Sequence, residues 1–104
     1  ILGIGGVRGE NVVTNDDVAG PIDSSDEWIR QRTGIVTRRR ADAAVDVVDL
    51  AEGAARDAIE HAGLQPADVD AVIFATTTYF HQTPSAAAVL AERLGAVPAA
   101  AYDV

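Results

Sequence analysis

Apolar and polar positions alternate between two rhythms along this chain, and the rhythms predict its elements. From Asp46 to Ala62, Leu50, Ala51, Ala54, Ala55, Ala58, Ile59 and Ala62 recur at helical spacing. Asp46 is placed to cap that helix and Gly63 to end it. The small residues on the stripe suit close packing on a sheet, and Glu52, Arg56 and Glu60 fall four apart on the opposite side. Asp70–Ala75 is a near-continuous apolar run, the pattern of a strand covered on both faces. Pro84 opens a second helix, Ser85 to Leu94, closed by Gly95, with Ala86, Val89, Leu90 and Leu94 as its apolar side. Ala99–Val104 reads as another strand, and Ile1–Val7 as a buried strand leaving into glycines. With strand, insertion, helix, strand, helix and strand in that order, the expected fold is α/β, a βαβαβ unit with parallel strands and right-handed crossovers.

Residues 8–23 are polar and irregular, with Asn15 as a candidate cap for one turn through Val18 and Gly20-Pro21 as a break. Ser25 then caps a short helix, Asp26 and Glu27 occupy its first turn, and Gly34 stops it. Ile35–Arg40 reads as a short exposed strand whose three arginines form a solvated edge.

Composition narrows the chemistry. The 104 residues are one small domain or part of a larger one, and 48% apolar content allows a real core. A net charge of −8, from 16 acids against 8 bases, argues against general nucleic-acid binding. With no cysteine, disulfides and thiolate sites are excluded from these residues. His61 and His81 lie far apart without companions at metal spacing, so no metal site is expected. No apolar run reaches membrane-spanning length and no signal peptide is visible. Both ends read as cut from something longer. The glycines at 3, 5 and 6 fail the dinucleotide-binding spacing, because Arg8 stands where the third glycine belongs and no helix follows; close backbone packing is the better reading.

Against the acidic background, five of the eight bases fall between Arg30 and Arg40, beside the single tryptophan. Trp28 and Arg32, four apart on one helix, project from one face. A flat indole and a flat guanidinium suit a flat aromatic ligand that carries negative charge, such as a nucleotide. The residues alone leave open a plainer reading, with Trp28 plugging a core and Arg32 a solvated helix-end cation. The polar and aromatic loop Thr76–Thr83 follows a presumed parallel strand, where open α/β folds bind ligands.

Four pieces, in order, carry a family likeness: Ile1-Leu2-Gly3-Ile4-Gly5 with Thr14-Asn15; Ser24-Ser25-Asp26-Glu27-Trp28-Ile29 with Arg32-Thr33-Gly34-Ile35; Ala75-Thr76-Thr77 with Gln82-Thr83-Pro84-Ser85-Ala86; and Leu94-Gly95 leading to Ala101-Tyr102-Asp103-Val104. On these the chain resembles the N-terminal part of β-ketoacyl-acyl carrier protein synthase III, of the thiolase-like superfamily. The resemblance implies the layered α/β/α/β/α thiolase-like fold, with residues of about 8–45 as an insertion carrying a coenzyme A helix. It implies a decarboxylative condensation of an acyl-CoA starter with malonyl-acyl carrier protein, in a cytoplasmic homodimer with no resident cofactor and no nucleic-acid or membrane partner. The catalytic Cys is expected a few residues beyond Val104, with the His and Asn further on, so these residues hold none of the three.

The same resemblance assigns Trp28 and Arg32 to a sandwich around the adenine ring of coenzyme A, and Thr33 and Ser24 to neighbouring polar contacts. Thr77 and Thr83 fall to the acyl pocket, with Thr83 lining that of the dimer partner. Many members that prefer acetyl starters carry a large aromatic residue at position 83, so threonine implies tolerance of branched or longer starters. Two rival readings stand beside it: a thiolase-like acyltransferase of secondary metabolism, and a non-catalytic coenzyme A-binding domain.

Overall fold

The computed structural model describes residues 1–104, in two compact units: Arg8–Ala44, and Ile1–Val7 together with Val45–Val104. The smaller unit is built on an antiparallel pair, β1 (Asn11–Thr14) and β2 (Thr37–Arg40), in register from Asn11 opposite Arg40 to Thr14 opposite Thr37. Between the strands run α1 (Asn15–Ala19), a 3-10 turn (Gly20–Ile22) and α2 (Asp26–Thr33).

Two expectations change here. β1 is a strand where an irregular stretch was expected, because its partner lies in the arginine-rich segment and alternation over four residues is too short to read. The cap of α1 is Thr14 rather than Asn15: the Thr14 hydroxyl accepts from the Asp17 N–H while the Asp17 carboxylate accepts from the Thr14 N–H at 2.7 Å. Asn15 instead turns inward and is buried.

In the larger unit, α3 (Val47–Ala62) begins at Asp46, whose carboxylate accepts from the N–H groups of Val48 and Asp49 at 2.7 and 2.9 Å. It ends at Gly63, where φ is +68°, a conformation that costs glycine nothing. A short 3-10 turn (Pro66–Asp68) leads into β3 (Ala71–Phe74), then α4 (Ala86–Leu94) and β4 (Ala100–Asp103). β3 and β4 pair in parallel, Ala71 opposite Ala100 through Phe74 opposite Asp103, so α4 is the crossover of a βαβ unit. The core joins Val72 and Phe74 of β3 to Ala86, Ala87, Leu90, Ala91 and Leu94 of α4, with Val48 from α3. Burying the Leu90 or Leu94 side chain contributes about 2 kcal/mol each.

Ile1–Val7 is not paired as a strand. It lies against α3, with Gly3 and Gly5 so close to the backbone at Ala58 and Ala54 that a Cβ on either would collide with those carbonyls. Close packing is thus the role of Gly3 and Gly5, whereas a Cβ on Gly6 would meet open space. β3 is also less enclosed than its apolar run predicts: Val72 and Phe74 are buried on the α4 side, whereas Ile73 is 59% exposed on a face that no element of this unit covers.

Three carboxylates fasten the helices. Asp103, at the end of β4, accepts from the N–H groups of Ala86 and Ala87 at 2.9 and 2.8 Å, satisfying two of the unpaired donors that start α4. Arg93 of α4 pairs with Asp49 of α3 at 2.8 Å and lies 3.7 Å from Glu52, which also holds Arg56 at 2.8 Å. The Asp49 carboxyl is lowered below its ordinary range, first by the Asp46 N–H and then by Arg93. No helix is long and apolar enough to cross a membrane.

Candidate functional site

α2 forms because both its ends are satisfied locally. Ser25 is extended and its hydroxyl accepts from the Trp28 N–H at 3.2 Å; Asp26 and Glu27 sit at the positive end of the helix dipole, and Arg30 and Arg32 at the negative end. Gly34, at φ +72°, turns the chain away and its N–H donates to the Arg30 carbonyl. Ile29 is the only residue of the helix that is fully buried, so its position depends on polar ties.

The chief tie is Asn15, 1% exposed. Its Nδ2 donates to Asp26 Oδ1 and to the Ile35 carbonyl, both at 2.8 Å, and its Oδ1 accepts from Arg38 Nη2 at 2.8 Å. One side chain thereby joins α1, the first turn of α2, the segment after α2, and β2. Arg30 adds a second hold on Asp26 at 2.8 Å. Arg30 first and then Asn15 lower the Asp26 carboxyl below its ordinary range. Arg38 also donates to the Thr14 carbonyl, and Arg39 to that of Glu10. Two of the three successive arginines are therefore bonded within the unit, where a solvated edge was expected.

Trp28 is 54% exposed and plugs no core within its own unit. The Arg32 guanidinium lies over the indole, 5.6 Å from the ring centroid. A ring inserted between two planar groups needs about 7 Å, two van der Waals contacts of roughly 3.5 Å. Arg32 therefore covers one indole face itself, and the adenine sandwich implied by resemblance is closed in this conformation.

Trp28 also lines an open cavity of about 510 Å³ with Ile22, Asp23, Ser24 and Ser25, within the roughly 300–1,000 Å³ of ligand sites. In its wall the Ser24 hydroxyl is buried without a hydrogen-bond partner. Thr33 is differently placed: its hydroxyl donates to the Ile29 carbonyl at 2.7 Å and accepts from the Ile35 N–H at 3.1 Å, so it is committed to closing the helix. Sequence reasoning missed Asn15 and Asp23. Nothing in their local pattern distinguishes them from ordinary turn residues.

The loop after β3 belongs to the larger unit. Thr78 is folded back on Thr76, with hydroxyls 3.1 Å apart, and the Tyr79 hydroxyl donates to the Pro84 carbonyl at 3.2 Å. Tyr79 and His81 are ring neighbours at 5.3 Å, while Phe80 projects 92% exposed. Thr78–His81 and Val45–Val47 surround a cavity of about 350 Å³. Thr77 and Thr83 are exposed and are not among the residues lining it. His61 is engaged at the end of α3, its Nδ1 3.2 Å from the Ile4 nitrogen and 3.0 Å from the Ile4 oxygen.

Comparison with known proteins gives relatives in both sequence and fold. No protein-family model matches the chain. The β-ketoacyl-[acyl-carrier-protein] synthase III of Kocuria rhizophila is 56% identical over 104 residues, which are 100% of this chain and 29% of that protein. The crystal structure of the priming β-ketosynthase from the R1128 polyketide biosynthetic pathway superposes with a TM-score of 0.95 at 40% identity, over 100% of this chain and 31% of that one. The 3-oxoacyl-[acyl-carrier-protein] synthase III of Aquifex aeolicus gives a TM-score of 0.91 at 39% identity, over 100% of this chain and 33% of that one. The chain thus spans about a third of the length of the proteins it matches. Over all of its residues it is similar in sequence and structure to a portion of β-ketoacyl-acyl carrier protein synthase III, and its fold is that of the thiolase-like condensing enzymes.

Proposed function

We propose that the chain is part of a condensing enzyme that joins an acyl-CoA starter to malonyl-acyl carrier protein, initiating fatty acid or polyketide synthesis. The observation that carries this reading is likeness over the whole chain: 56% identity to a synthase III over 104 residues. The exposed indole under a guanidinium, beside an open cavity, is the kind of surface a coenzyme A nucleotide needs.

In this reading the acyl group passes from coenzyme A to a cysteine thiolate, and the coenzyme A thiol leaves. Malonyl-acyl carrier protein then loses carbon dioxide, and its carbanion attacks the acyl carbonyl, expelling the cysteine thiolate and giving a β-ketoacyl-acyl carrier protein. The chain has no cysteine of its own. Its share of the work is recognition. The unit Arg8–Ala44 is an insertion that presents α2, Trp28 stacks the adenine, and Arg32 moves aside to admit it or backs the indole from the opposite face. Ser24 supplies a polar contact, with a weaker part for the committed Thr33. Thr77 and Thr83 border the acyl pocket of a cytoplasmic homodimer, Thr83 facing the partner's.

The test is to incubate the native protein with acyl-CoA and malonyl-acyl carrier protein and identify the products. Release of carbon dioxide with a β-ketoacyl carrier protein supports condensation. Acyl transfer without decarboxylation assigns the protein to the acyltransferases, and coenzyme A binding without either reaction makes it a binding domain.

A further inference from the structure

The loop between β3 and α4, which carries Thr83, is held by side chains rather than by its backbone. No backbone–backbone hydrogen bond reaches any residue from Thr76 to Pro84. At the near end the Thr76 hydroxyl accepts from the Thr78 N–H at 3.1 Å. At the far end the chain is fixed where α4 begins: Ser85 caps the helix, and the Asp103 carboxylate takes the N–H groups of Ala86 and Ala87. One bond spans the stretch between these anchors, from the Tyr79 hydroxyl to the Pro84 carbonyl at 3.2 Å. The exposed Thr83 hydroxyl takes part in no hydrogen bond within the chain. The position of Thr83 therefore depends on its neighbour Pro84, and that of Pro84 on Tyr79.

Tyr79 can hold Pro84 because its own ring is held. The ring packs against the core cluster and lies 5.3 Å from that of His81, whereas Phe80 between them stands 92% exposed. An apolar body on the core with a polar tip in the loop is what tyrosine supplies. A phenylalanine would fill the same space, so packing gives no reason for the hydroxyl; the bond to Pro84 does. That bond closes Tyr79–Pro84 into a ring with Thr83 beside the closure. Without it the segment regains the freedom of an untied surface loop, whose opening costs little. We infer that Tyr79 is a positioning residue: its hydroxyl, acting through the Pro84 carbonyl, holds Thr83 at a fixed depth and sharpens the choice among acyl chains. The inference rests on Thr83 bordering the acyl pocket.

The experiment compares Tyr79→Phe with wild type in the native protein, using straight-chain acyl-CoA starters from acetyl to octanoyl with malonyl-acyl carrier protein. Phenylalanine keeps the ring, its packing and its contact with His81, and removes only the hydroxyl. Wild type is expected to show a step in kcat/KM at the chain length where one further methylene no longer fits. In the variant that step should shrink about three- to fivefold, the effect of one hydrogen bond between neutral groups, because a released wall can retreat from the longer chain. The step is a ratio of two rates on one preparation, so a smaller folded fraction does not alter it. Thr83→Phe is the control and should move the step to shorter chains. If the control moves the step while Tyr79→Phe leaves it at the wild-type size, the positioning role is overturned and the pocket reading stands. If neither variant alters the step, Thr83 does not border the pocket and both fall together. Failure of wild type to condense any of these starters would overturn the functional reading and the inference with it.

Discussion

Replacing Asn15 with alanine removes three hydrogen bonds of 2.8 Å from a side chain that is 1% exposed. The bond to the Ile35 carbonyl joins neutral groups and contributes about 1 kcal/mol. Those to Asp26 and Arg38 involve charged groups and belong to the stronger class, about 1.5–3 kcal/mol each. Asp26 and Arg38 are only half-buried, so water regains part of what they lose and each bond falls to the ordinary range of about 0.5–1.5 kcal/mol. The expected cost is about 2–4 kcal/mol. It should fall on the smaller unit, because all three partners lie there. Hydrogen exchange of the α2 amides in the native protein reads it locally, as a loss of protection of about 30- to 1,000-fold, alongside a lower urea midpoint. Asn15→Asp separates hydrogen bonding from volume. It keeps the size of the side chain but loses both donated bonds and sets a second carboxylate against Asp26, so at pH 7 it should be at least as damaging as alanine. As pH falls and a carboxyl protonates, the gap to wild type should narrow. The reasoning is refuted if alanine costs less than about 1 kcal/mol, or if the aspartate variant matches wild type at neutral pH.

Trp28→Ala should raise the acyl-CoA dissociation constant about tenfold or more, since stacking a base on an aromatic side chain contributes about 1–3 kcal/mol; an unchanged constant in a titration would remove the stacking role. Thr83→Phe in the native protein should shift starter preference toward acetyl-CoA, by about tenfold in kcat/KM for each methylene excluded; an unaltered ratio of acetyl- to isobutyryl-CoA would mean the depth is set elsewhere. Asp46→Ala removes the cap of α3, whose carboxylate takes two N–H groups, and should cost about 1 kcal/mol in thermal or chemical unfolding. Acid should destabilise the fold through Asp17, Asp26 and Asp49. All three have native values lowered from the ordinary 3.8: Asp17 chiefly by the Thr14 hydroxyl, Asp26 by Arg30, and Asp49 by the Asp46 N–H. A depressed carboxyl stabilises above its unfolded value and loses that contribution as pH falls through the lower native one. The stability of an Asp26→Asn variant should therefore vary less with pH below about 4 than that of wild type; parallel curves would contradict this.

The helices were legible in the sequence because their ends are made by neighbours in the chain. Asp46 and Gly63, Ser25 and Gly34, and Ser85 and Gly95 each satisfy backbone groups within a few residues, so capping chemistry fixes α2 and α3 without tertiary information, whereas the start of α4 also draws on Asp103 of β4. The one-faced arrangement of Trp28 and Arg32 was legible for the same reason, as a consequence of helical pitch. What depends on distant partners was not. β1 exists because Asn11–Thr14 meets Thr37–Arg40, and Ile1–Val7 lies unpaired against α3 although its composition is that of a strand. Only the folded chain brings Asp26, Ile35 and Arg38 around Asn15 and turns a residue that reads as a loop cap into the anchor of α2. Only the fold shows the Arg32 guanidinium already lying on the indole, since helical spacing says that two side chains meet but not how much room they leave between them. Local hydrogen bonding and periodicity are written along the chain; pairing, burial and the space left for a ligand arise from where remote segments come to rest.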